Sequence, residues 1–121
     1  MSDVYKITRV VINYEKLFET DFEKVRNEKE YYINNLKEVI GHVDEALKLK
    51  SEMLDEWKKT LEELCKVDDA NTLWKKLQLS IMMFYTNIMC GKFQRETQNL
   101  QSAKERLEKL LHRLIVLSVA F

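Results

Sequence analysis

The chain has no proline, two glycines and two cysteines in 121 residues, and its 20 basic residues are matched by 20 acidic ones. Each scarcity excludes a class of protein. β folds need turn residues that are missing here, and phosphate-cradling or dinucleotide-binding loops need more glycine than this chain holds. Two cysteines, Cys65 and Cys90, are too few for a disulfide framework, and the first residues lack the apolar core and small-residue cleavage site of a secretory signal. The expected setting is therefore a reducing one, cytoplasmic or nuclear. With no excess of either charge, no overall field draws the molecule to nucleic acid or anionic lipid. The longest charge-free stretch, residues 77–91, is fifteen residues, short of the roughly 20 a membrane-spanning helix requires.

What remains is an all-α chain, 45% hydrophobic and one-third charged. Steps of four and three from Phe22 visit Val25, Lys29, Tyr32, Leu36, Val39, Val43, Ala46, Lys50, Met53, Trp57, Thr60 and Leu64; ten of the thirteen are apolar, which establishes a heptad seam. A second row runs beside it at a spacing of seven: Ile33, Ile40, Leu47, Leu54 and Leu61. From Leu79 the same steps reach Met82, Thr86, Met89, Phe93, Glu96, Leu100, Ala103, Leu107, Leu110, Leu114, Leu117 and Phe121, apolar at eleven of thirteen. Between the two seams the rhythm stops at residues 67–72, where Asp68, Asp69, Asn71 and Thr72 precede Leu73, a cluster of helix-capping residues that marks a turn.

The pattern predicts a long, coiled-coil-like antiparallel hairpin in a single helical domain, with one helix over 3–66 and another over 72–121. Unbroken, these would be about 96 Å and about 75 Å long. Gly41 and Gly91 are weak points in the two helices, since glycine costs roughly 1 kcal/mol relative to alanine there. The segment before Phe22 keeps its own register, Val4, Ile7, Val11, Tyr14 and Phe18, and joins the seam through a stutter. Thr20 followed by Glu23 fits a capping box, so a break near 19–21 is the alternative for this end. Residues 1–66 hold twelve Lys/Arg against fifteen Asp/Glu, and 67–121 hold eight against five, a complementarity that favours packing one half on the other.

A two-stranded seam uses two positions per heptad, whereas these helices carry three or more, so more than two helices have to meet. The expectation is a bundle of three or more helices, completed by a partner chain or by self-association. The residues expected at that interface are Ile40, Leu47, Leu54, Leu61, Met82, Met83, Met89, Phe93, Leu107, Leu114, Leu117 and Phe121. The window 79–90 is apolar on every side of its helix and must be enclosed, either by its own chain or by another. Trp57 and Trp74 are expected to anchor packing near the turn.

Chemistry-bearing constellations are weak. His42 and His112 each follow a glutamate by four residues, Glu38 and Glu108, but the di-iron signature needs Glu three before His, and Val39 and Lys109 stand there. Hairpin register also keeps the two pairs about 24 Å apart. Gly91-Lys92 fails as a phosphate loop because Thr86 and Phe93 occupy positions that need glycine and a hydroxyl. Cys65 has Lys66 beside it but no histidine within a turn to act as base. Arg106, Lys109 and Arg113 share a face near the C-terminus, interrupted by Glu105 and Glu108. No catalytic residue, metal site or cofactor is expected. The reading is a non-enzymatic structural or adaptor subunit that binds protein partners, with a hetero-oligomer ahead of a homo-oligomer. The alternative, a self-contained four-helix bundle for a small ligand or partner helix, requires true breaks at Gly41 and Gly91.

Overall fold

The computed structural model describes residues 3–67 and 72–120. Four helices follow in order: α1 (Asp3–Thr20), α2 (Phe22–Asn27), α3 (Lys29–Cys65) and α4 (Leu73–Ala120). The single helix expected over 3–66 is interrupted at Asp21 and again at Glu28, so the alternative of a break near 19–21 is the one present, but its cap differs from the Thr20–Glu23 box. Thr20 is the last residue of α1, where its hydroxyl donates back to the Lys16 carbonyl at 2.8 Å. Asp21 caps α2 instead: its backbone leaves the helical region, and its carboxylate accepts from the Lys24 N–H at 3.4 Å. The Asp21 N–H still completes α1 by donating to the Leu17 carbonyl. At the other end of α2, the Glu28 N–H closes on the Lys24 carbonyl before α3 begins.

Gly41 and Gly91 do not break anything. α3 and α4 run straight through them, neither glycine has a positive φ, and a methyl group added at either would meet nothing within 4 Å. The four-helix alternative loses its premise here, because propensity at one residue is outweighed by the packing of a long seam. At the turn, Lys66 and Val67 N–H groups donate to Glu63 and Leu64 carbonyls, and the Thr72 hydroxyl caps α4 by accepting from the Lys75 N–H at 3.2 Å. The rest of the expected turn, 68–71, lies outside the described residues.

The chain divides into two compact units. The first comprises residues 1–47 and 98–121, the second residues 48–97. In the first, α1 folds back through the α2 corner. Tyr14 meets Tyr32 edge-on at 6.5 Å, and the Arg113 guanidinium lies over the rings of Phe18 and Phe22 at 5.5 and 5.1 Å. Glu15 receives a two-pronged contact from Arg106, and Asp44 of α3 takes Lys104 at 2.8 Å. α1, α3 and α4, with the short α2 at the corner, therefore line one core. Val4, Val11, Phe18, Val25 and Tyr32, spaced seven apart through α1, α2 and the start of α3, are buried with Leu36, Val43, Leu100, Ala103, Leu107, Leu110 and Leu114. Burial, followed by the charges of Tyr31, Tyr32 and Glu38, pushes the Tyr14 hydroxyl above its usual 10.0.

The second unit holds only parts of α3 and α4, packed antiparallel: Lys50 pairs with Glu96, and further along α3 Trp57 meets Tyr85 edge-on at 5.8 Å. Phe93 is buried here, with the Lys50 ammonium 5.3 Å from its ring centre. Thr86, a hydroxyl in an otherwise apolar seam, is also buried, and it meets its polar need within its own helix by donating to the Met82 carbonyl at 2.7 Å.

Because both glycines sit in regular helix with open space where a side chain would go, Gly41→Ala and Gly91→Ala should each stabilise the protein by about 0.5–1 kcal/mol. Urea unfolding of each variant measures this, and a loss of stability at either position would show that the helix is not continuous there.

Candidate functional site

The twelve residues expected to face a partner do not form one surface. Phe93, Leu107 and Leu114 are buried inside the chain, with Leu107 and Leu114 wholly inaccessible, which leaves no side-chain surface for a partner. For Leu107 and Leu114 the reason is α1, which supplies from within the chain the third helix that the width of the stripes required; Phe93 is buried in the second unit, beside Lys50 of α3. Ile40 and Leu47 are half-buried against the same core. Leu54, Leu61, Met83 and Met89 are half-buried in the second unit, while Met82 is exposed. The Leu117 side chain and Phe121 lie outside the described residues.

The uncovered apolar surface is elsewhere. In the second unit, Leu73, Trp74, Leu77, Ile81, Phe84, Tyr85 and Ile88 are each half exposed or more, Leu73 reaching 85% and Phe84 69%. Steps of four, four, three and four join residues 73, 77, 81, 84 and 88, so they form one face of α4. Trp74 and Tyr85 border it. The face that α4 turns toward α3 is a different one, marked by buried Thr86 and Phe93. Trp74, expected as a packing anchor near the turn, is instead 66% exposed, whereas Trp57 is half-buried against Tyr85. A signal for this face was present in the sequence: once the seam at 79, 82, 86, 89 and 93 is removed, the remaining apolar residues of 73–88 form a second row at helical spacing.

The polar exceptions in the two seams find each other. Lys50 interrupts one seam and Glu96 the other, and their side chains meet at 2.7 Å with 18% and 14% of their surfaces accessible. Glu96 Oε2 is itself buried, so the Lys50 ammonium offsets the charge of a largely desolvated carboxylate. Slipping either helix by one turn would leave both groups buried and unpaired, so the pair fixes the hairpin register.

The other candidate groups have structural neighbours. His42 lies 3.8 Å from Glu38 on an exposed face, and among the described residues no three His, Cys, Asp or Glu side chains converge as a metal site would require. Cys65 is exposed and Cys90 half-buried. Arg106 and Arg113, two of the three cations on one C-terminal face, tie α4 to α1. Among the described residues no helix is long and apolar enough to cross a membrane. Compared with protein-family models, curated proteins and solved structures, the chain matches none of them.

Two predictions follow from this division between covered and uncovered surface. Phe18→Ala should cost about 3–5 kcal/mol, as a buried ring does, while Phe84→Ala should stay within about 0.5 kcal/mol, both read from denaturant midpoints. Equal costs would mean that the α4 face is covered by the chain after all. For the ion pair, Lys50→Ala should cost about 1–3 kcal/mol by stranding the Glu96 carboxylate. Lys50→Leu combined with Glu96→Leu should recover most of that loss. A double variant no more stable than Lys50→Ala would remove the pair from its proposed role in register.

Proposed function

We propose that the protein is a non-enzymatic structural or adaptor subunit that binds another protein through the exposed apolar face of α4 in the second unit. The observation that carries this reading is the stripe of residues 73–88, which lies on a different face of α4 from the one packed on α3. Singly exposed apolar side chains are ordinary. Seven bulky ones at helical spacing on one surface are not, and contiguous patches of this kind mark interaction sites. A width of three positions per heptad matches a helix that sits inside a bundle.

The three methionines at 82, 83 and 89 support the same reading, since their flexible thioethers adapt to a neighbour's shape. Hydrophobic burial at roughly 25 cal/mol per Å² supplies the driving force for docking, and the hairpin holds the stripe in a fixed helical conformation beforehand, which lowers the ordering cost. Function on this view is mechanical: the first unit provides a self-sufficient bundle, and the second presents a helix face for another component.

The test is the mass of the intact assembly recovered with tagged full-length chain from its native source. Wild type should be recovered in a complex larger than the 14.5 kDa chain. Ile81→Asp with Phe84→Asp should be recovered alone, with its thermal melt nearly unchanged because both sites face solvent in the isolated chain. A wild-type chain recovered alone, monomeric and cooperatively folded would overturn the proposal.

A further inference from the structure

The charges around the exposed stripe specify its occupant more closely than apolarity does. Residues 73–95 of α4 carry Lys75, Lys76, Lys92 and Arg95 and not one Asp or Glu. All four cations are exposed, two near each end of the stripe. The acidic residues of the second unit sit mainly on α3, where Glu52, Asp55, Glu56, Glu62 and Glu63 are exposed.

This arrangement disfavours a second copy of the chain. Antiparallel pairing of two stripes about their centre brings the Lys75 and Lys76 end of one copy toward the Lys92 and Arg95 end of the other, and parallel pairing sets each cation beside its own equivalent. Like charges across an interface oppose association in both cases. The α3 segment of a second copy offers acidic groups, but among its described residues from 48 to 65 the only large apolar side chain counted as exposed is Leu49, too little to cover seven. An anionic bilayer would also attract the α4 cations, but residues 48–66 of the same unit add no net positive charge to them, Glu52, Asp55, Glu56, Glu62 and Glu63 being balanced by Lys48, Lys50, Lys58, Lys59 and Lys66.

We propose that the stripe receives an amphipathic helix from a different protein, with an apolar face about four turns long and acidic residues at both of its ends. Residues 73–88 span about 24 Å, which sets the length of that helix at some 16 residues or more. The exposed side chains offer on the order of 1,000 Å², comparable to the roughly 800 Å² that each partner contributes to a stable interface. This inference rests on the protein-binding reading above and adds the partner's chemistry.

The test uses two synthetic helical peptides of about 20 residues. They share one leucine-rich apolar face and differ only in whether glutamate or lysine flanks its ends, and each is titrated against the full chain at low and high salt. The glutamate-flanked peptide should bind at least tenfold more tightly at low salt, with the difference shrinking at 1 M salt, where screening extends only about 3 Å. The combined variant Lys75→Glu, Lys76→Glu, Lys92→Glu, Arg95→Glu should reverse the preference, and Phe84→Asp should abolish binding of both peptides. Equal binding of the two peptides, or tighter binding of the lysine form, would overturn the acidic-partner inference and leave the protein-binding reading intact. So would a homodimer that the glutamate peptide does not dissociate. Binding to phosphatidylserine vesicles with no binding of either peptide would overturn both readings.

Discussion

A helix that is apolar over more than one face needs neighbours on more than one side, and this chain meets that requirement in one unit only. The decisive contact is the return of α1 onto α3 and α4. Phe18 and Val25 are buried at the corner, Tyr14 packs on Tyr32, and Glu15 holds Arg106. With α1 in place, Leu107 and Leu114 lose all access to water. Segments 48–65 and 73–97 of the second unit have each other and no third helix, so α4 keeps an uncovered face.

The corner is built from small effects acting together. Thr20 satisfies its hydroxyl within α1, Asp21 leaves the helical conformation and caps α2, and Glu28 makes the second bend. A cap is worth about 1 kcal/mol, far less than the burial of a phenylalanine. The cap therefore decides where the chain turns, and the buried rings decide that it stays turned. Charge is used in a similar way. Arg106 and Lys104 of α4 meet Glu15 and Asp44 from the acidic half of the chain, as the imbalance between halves favours, whereas Lys50 and Glu96 pair in the opposite sense inside the seam. The exposed pairs add little energy. The nearly buried one excludes wrong registers, because any slip leaves a charge without water or partner.

Pairing within the hairpin thus leaves α4 with two faces of different kinds. The face on α3 carries Thr86, Glu96 and Phe93; the Thr86 hydroxyl donates to the Met82 carbonyl and the Glu96 carboxylate forms an ion pair with Lys50. The other carries large apolar side chains and no acidic residue. The structural or adaptor role proposed above rests on this division, on the uncovered apolar face of α4 in the second unit.

Periodicity alone was enough to read an all-helical chain with two long helices packed on each other, because a 3.6-residue repeat is local and survives without knowledge of neighbours. It also showed that two helices were too few. It gave the third helix to a partner chain or a second copy, because Val4, Val11 and Phe18 read first as the start of one long helix and only alternatively as a separate one; the choice depends on whether their burial in one core with Leu107 and Leu114, distant in sequence, outweighs the cost of the bend at Asp21. Only tertiary structure decides that, since the energy of a buried side chain belongs to what covers it. For the same reason Phe93, Leu107 and Leu114, expected at an interface, are buried within the chain, while Leu73, Leu77, Ile81, Phe84 and Ile88 are exposed: hydrophobicity marks a residue as needing cover, and the fold determines whether the chain itself provides it.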